Sequence, residues 1–179
     1  MAKEIENILC CLGMKDTKFC VKLVEKDGND LEQKCGPYGM DDIEFLISAN
    51  PGSPLLPLTK IASGGELSRI MLALKSILSD ADMMGTLVFD EIDTGISGRA
   101  ARKIGVQLKN VSKLRQVICI THLAQIAALA DNHLLITKAQ KDNATYTSVK
   151  SIIGDERIHE VARIMSGSDI TENLYNTAK

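Results

Sequence analysis

Between residues 63 and 78, Leu67, Ile70, Met71, Leu74, Ile77 and Leu78 stand at i, i+3, i+4, i+7, i+10 and i+11. That spacing predicts a helix with one apolar face, and Leu72 and Ala73 widen the stripe, so the helix is expected to be well buried. Two short uninterrupted apolar runs follow, TLVF at 86–89 and QVICIT at 116–121. A helical pattern carrying Ala101, Ile104, Leu108 and Val111 follows the first, and an apolar helix at about 123–130 follows the second. Apolar runs without alternation are the pattern of strands covered on both faces, so this half of the chain predicts an α/β fold: a mostly parallel sheet flanked by helices.

The flanking segments read differently. Ile5, Ile8, Leu9 and Leu12 have helical spacing before a stop at Gly13. FCVKLVEKDG and DDIEFLISAN read as an antiparallel pair, closed by Asp27-Gly28 and by the breaker run NPGSPLLP at 50–57. Downstream, HLLITK and TYTSVKSII flank the polar turn AQKDNA and predict an edge hairpin. Two terminal helices complete the pattern, one with Ile158, Val161, Ala162 and Met165 in phase, the other opening at the capping box Asp169-x-x-Glu172.

Charge and cysteine content narrow the classes. Lys and Arg total 21 against 23 Asp and Glu, a formal charge of -2, so no face is obviously built as a broad basic surface for nucleic acid, and any such contact is expected to be local or to lie elsewhere in the protein. The five cysteines, Cys10, Cys11, Cys20, Cys35 and Cys119, contain no C-x-x-C pair, so neither a disulfide framework nor a zinc site is expected. No apolar run is long enough to span a membrane and the first residues do not read as a signal peptide, so a soluble cytoplasmic protein with no membrane partner is expected.

The candidate chemistry stands where the strands end. Asp90-Glu91 follows TLVF, and Thr121-His122 follows the strand core QVICI. Beyond the carboxyl ends of parallel strands, helix N-termini and free backbone groups converge on ligands. Neighbouring strand residues point to opposite faces, so Asp90 and Glu91 divide the work: Asp90 suits a hydrated Mg²⁺, and Glu91 suits orienting and deprotonating a water. Taken alone, the pair reads as well as two solvated acids. Ser63-x-x-Glu66 is explained by capping, but Gly64 and Gly65 are not; two glycines in the first turn leave unpaired amides open to an anion.

The segments LTKIASGGELSRIMLALKSIL, LVFDEIDTGISGRAA and ITHLAQIAALAD together resemble the signature motif, Walker B strand and switch histidine of an ABC-type ATPase head, in the wording of the RecN family of SMC-like DNA repair proteins. The resemblance runs from FLISANPG to RIMSGSDITE. It implies the C-terminal lobe of an ABC/SMC-type P-loop NTPase head over residues 14–179, with residues 1–13 as the end of a coiled-coil arm. Ser63, Gly64, Gly65 and Glu66 would then grip the γ-phosphate of ATP held by an opposite head. Asp90 would act on Mg²⁺, Glu91 would be the general base, and His122 would sit near the γ-phosphate. Thr94 to Gly98 occupy the D-loop position, where TGISG departs from the Leu-Asp form of many ABC heads, so Asp93 and Ser97 rank behind the other site residues. The implied partners are an N-terminal head lobe, a second head in a homodimer, and DNA bound by the whole protein in double-strand break repair and recombination; the implied location is the bacterial cytoplasm, at the nucleoid.

No G-x-x-x-x-G-K-[ST] occurs, so the phosphate-cradling half of an ATP site is absent from these residues, and the chain alone is expected to be inactive. A non-catalytic dimerisation or interaction module with the same fold is the alternative. Ser63, Asp90 and His122 follow hydrolase-triad order but lack G-x-S-x-G. HEVAR at 159–163 has Arg163 where a zinc helix needs histidine, leaving His159 a helix-surface residue. A nuclease built on Asp90, Glu91 and Asp93 lacks a nearby lysine. Arg99, Arg102 and Lys103 share a face that reads first as solvated and second as a DNA contact.

Overall fold

The computed structural model of the chain describes residues 1–28, 34–37, 39–61, 63–78, 83–141, 144–167 and 172–178. Helix α1 (Ala2–Cys11) leads into the antiparallel strands β1 (Lys18–Glu25) and β2 (Asp41–Ser48), with Phe19 opposite Ile47, and the short β3 (Leu56–Pro57) pairs with β2. Helix α2 (Gly64–Ile77) crosses to β4 (Thr86–Phe89), and α3 (Gly98–Val111) carries the chain to β5 (Gln116–Cys119), which lies parallel to β4. The short α4 (Ala124–Ala127), the hairpin β6 (His133–Lys141) and β7 (Ala144–Ile152), then α5 (Gly154–Ser166) and α6 (Glu172–Ala178) follow.

Two apolar clusters hold the main elements from α1 to α4, and α2 belongs to both. Leu72 packs with Leu87, Phe89, Ile92, Ile104 and Leu108, whereas Ile70, Ala73 and Leu74 pack with Ile5, Leu9, Phe19 and Ile47. A helix between two cores must be apolar around most of its girth, which accounts for the thick stripe. The stripe is nevertheless rotated from the predicted one. Leu67 and Met71 stay 38% and 36% exposed, because their side of α2 opens on a groove lined by Leu87, Val88 and Phe89 and is not covered by a third layer.

The predicted elements are present with three differences. Among the described residues the parallel arrangement is confined to β4–β5; β1–β2–β3 and β6–β7 are separate antiparallel ladders. The strand pair is covered on one face only, with Leu87 and Phe89 in the core but Val88 62% and Ile118 44% exposed. Helix α4 ends at Ala127, short of the expected 130, and Arg157 donates to the carbonyls of Ala127, Ala128 and Ala130, satisfying groups that a longer helix would have paired. Asp169 of the expected capping box lies outside the described residues. Among the described residues no helix is long and apolar enough to cross a membrane.

The core assignment is tested by truncation. Ile104, fully buried, is expected to lose about 2–5 kcal/mol as Ile104→Ala, while Val106→Ala, on the exposed side of the same helix, should change stability by less than about 0.5 kcal/mol. Urea unfolding followed by circular dichroism measures both, and equal losses would displace the core from this face of α3.

Candidate functional site

Residues 90–94 form one turn onto which the other motif segments close. Ser63 has extended backbone and caps α2, its hydroxyl accepting the Glu66 amide at 3.4 Å. One turn further along the helix, the Ser68 hydroxyl donates to the Asp90 carbonyl at 2.6 Å. Arg69, 6% exposed, sends Nη1 to the carbonyls of Ile92 at 3.1 Å and Thr94 at 3.0 Å. Burial holds the Arg69 pKa below its ordinary value, against the opposing charge of Glu66, and its Nε is buried without a hydrogen-bond partner among the described residues.

The turn itself is constrained. Glu91 has φ +56°, the one non-glycine residue with positive φ among those described, and its carbonyl accepts the Thr94 amide at 3.0 Å. A left-handed residue with a side chain costs on the order of 1–2 kcal/mol, so the surrounding bonds must hold it there. The Asp90 carboxylate accepts the Glu91 amide at 2.8 Å and stays exposed, as does the Glu91 side chain. Ile92 is wholly buried and anchors the turn in the core.

This turn explains the two glycines in a way the sequence did not suggest. A Cβ on Gly65 would lie 3.0 Å from the Glu91 carbonyl, 3.1 Å from Thr94 Cβ and 3.2 Å from Arg69 Nη1. Gly65 is bare because the turn of the same chain packs on it. Gly64 is exposed, and a Cβ there would meet only the end of the Glu91 side chain. The Cβ side of Gly65 is therefore filled by the turn, while that of Gly64 meets only a side chain that can move.

The histidine joins the site through Asp93, which is 3% exposed. Its Oδ2 accepts the Thr121 hydroxyl at 2.6 Å and the His122 amide at 2.9 Å, and faces His122 Nδ1 at 3.1 Å. The His122 side chain remains 72% exposed. Beside it, burial first, then the Asp93 and Asp90 charges, push the Cys119 thiol up to about 12. Ser63, Gly64, Gly65, Glu66, Asp90, Glu91, Asp93 and His122 are thus gathered by one set of contacts. Ser97, exposed ahead of α3, makes no hydrogen bond to them among the described residues.

Other candidates lie outside this set. His159 stacks on Tyr175 with ring centroids 4.8 Å apart, in keeping with a helix-surface residue, and Arg99, Arg102 and Lys103 are exposed on α3. Among the described residues no group of three or more His, Cys, Asp or Glu is placed to hold a metal ion. Ser68 and Arg69 were not singled out in the sequence; the available signal was an arginine flush against the buried positions Ile70 and Ala73 of an apolar helix.

The fold is that of an SMC-type ATPase head. The Smc head domain of Pyrococcus yayanosii matches 92% of this chain and 29% of that one at a TM-score of 0.59 and 20% identity. A structure from work on ATP-driven dimerisation and DNA-stimulated activation of SMC ATPases matches 92% of this chain and 90% of that one at 0.50 and 19%. No protein-family model matches. The chain belongs to the RecN family. It is 52% identical to DNA repair protein RecN of Treponema pallidum over 164 residues, covering 92% of this chain and 29% of that protein. It is 43% identical to the Bacillus subtilis protein of the same name, covering 100% and 33%. The chain spans about a third of the length of these relatives.

The unequal surroundings of the glycines give opposite expectations. Gly65→Ala should destabilise by about 1–3 kcal/mol, since backbone at 3.0 Å has to move. Gly64→Ala should be neutral or stabilising by up to about 1 kcal/mol, because the Glu91 side chain can swing aside and alanine favours the helix. Thermal melts of both variants check this, and a matching loss at both positions would remove the packing account of Gly65.

Proposed function

We propose that this chain supplies the acid, histidine and helix-terminus half of an ATP-hydrolysing site in a RecN-type DNA repair ATPase. The observation that carries the reading is the gathering of Glu91, His122 and the start of α2 around one turn, with both functional side chains exposed and their backbones fixed. Glu91 is the general base for the attacking water, and His122 is placed beside the γ-phosphate. Ser63, Gly64, Gly65 and Glu66 offer the helix terminus to the phosphate of an ATP bound by a second head, with Gly64 the open point of approach. As the Glu91 side chain now lies over Gly64, phosphate arrival requires it to swing toward the water.

A single exposed carboxylate at Asp90 fits Mg²⁺, which keeps several waters and takes the rest of its shell from phosphate oxygens. When bound, Mg²⁺ would offset the charge on those oxygens.

The phosphate cradle belongs to an N-terminal lobe. Support for where it docks comes from the cleft of about 870 Å³ between β5 and β6, lined by Ile118, Ile120, Leu134 and Ile136. Among the described residues β5 is paired on one side only, so the cleft has an open strand edge and apolar walls for the incoming lobe. Residues 1–13 are the end of a coiled-coil arm rooted by Ile5 and Leu9 in the core, and residues 14–179 the lobe itself. DNA is engaged by the whole protein, at the bacterial nucleoid.

Alone, the chain should show no ATP turnover; with a P-loop lobe supplied, it should hydrolyse ATP, and Glu91→Gln should lower kcat by about 10²- to 10⁴-fold. A phosphate-release assay reads this directly. Undiminished turnover in Glu91→Gln would remove Glu91 as the base, and no turnover in the wild-type assembly would favour a non-catalytic dimerisation module.

A further inference from the structure

The geometry points to Asp93 as the positioning residue of His122: we infer that its buried carboxylate holds the imidazole as the Nδ1–H tautomer and leaves Nε2 the one ring nitrogen open to a ligand. This deepens the reading above and rests on it for the role of His122 in turnover. The placement of the ring does not.

A carboxylate oxygen only accepts and carries negative charge, so a ring nitrogen lying close to it is favoured with its hydrogen, not its lone pair, on that side. Oδ2 of Asp93 faces three groups from two consecutive residues: the Thr121 hydroxyl at 2.6 Å, the His122 amide at 2.9 Å and the imidazole Nδ1 at 3.1 Å. In a neutral ring facing this oxygen, the hydrogen is therefore on Nδ1, and which nitrogen carries it is set by this partner. The Thr121 hydroxyl in turn accepts the Leu123 amide at 3.1 Å, so main chain and ring are fixed together. Burial separates the two ends of the ring: Asp93 is 3% exposed, whereas the His122 side chain is 72% exposed.

What turns Asp93 inward lies on α2. The carbonyls on either side of it, those of Ile92 and Thr94, both accept from Arg69 Nη1. With the carbonyls of both neighbouring residues held by the helix, the Asp93 side chain projects toward Thr121 and His122. A shift of α2 against the turn therefore reaches the histidine through two hydrogen-bonded steps.

The wild-type chain tests the placement without any substitution. In ¹⁵N spectra of histidine-labelled protein with the ring neutral, His122, assigned by the loss of its signals in His122→Gln, is expected to carry its hydrogen on Nδ1; a hydrogen on Nε2 would overturn the inference. Asp93→Asn, which keeps size and one acceptor, guards against a variant that fails to fold, and should lower the Nδ1–H population.

With the P-loop lobe supplied, Asp93→Asn should lower kcat about 10- to 100-fold with KM little changed. The double variant Asp93→Asn/His122→Ala should be no slower than His122→Ala alone. Losses that multiply would show Asp93 acting independently of His122 and would overturn its positioning role. Turnover indifferent to His122→Ala would instead count against the ATPase reading, and the nitrogen spectra would still decide whether Asp93 sets the ring.

Discussion

The site depends on one buried guanidinium. Arg69 reaches from α2 to the carbonyls of Ile92 and Thr94, and without that grip nothing on the helix would hold both flanks of Asp93. Among the described residues this charge has no carboxylate partner at hydrogen-bond distance, and such a buried charge is unfavourable unless backbone dipoles solvate it, as they do here where the chain must reverse. The same turn carries Glu91 in its left-handed conformation, so solvation of the arginine and strain at the acid are two sides of one arrangement.

From this turn the remaining contacts branch. Ser68 fixes the Asp90 carbonyl, Gly65 admits the turn against the helix, and Asp93 extends the network to Thr121 and His122. Distant parts of the sequence become neighbours through backbone carbonyls and a single carboxylate oxygen. The side chains proposed for chemistry, Glu91 and His122, are held by their backbones and stay open at their tips, as a reactive group must.

Much of this was legible in the sequence. The helical period of α2, the apolar runs of β4 and β5 and the two strand runs of the β6–β7 hairpin are local signals, and the structure forms elements there. Asp90-Glu91 and His122 could be found because strand ends in α/β folds gather polar chemistry. Arg69 could not be found that way, because its role is set by carbonyls more than twenty residues away. The packing at Gly65 was hidden for the same reason: a bare amide and a tight packing contact both call for glycine, and only the position of the Glu91–Thr94 turn reveals the second. The exposure of Leu67, Met71 and Val88 was equally hidden, since periodicity shows which face of an element is apolar and not whether anything covers it.

The sharing of α2 between the two apolar clusters bears on how the chain comes apart. Opening either cluster uncovers one side of a helix on which the other packs, because Leu72 serves one and Ile70, Ala73 and Leu74 serve the other from the same few turns. Amide protons from α1 through α3 should accordingly exchange as one cooperative unit, while the solvent-facing hairpin of β6 and β7 lies outside that unit and is free to breathe on its own timescale.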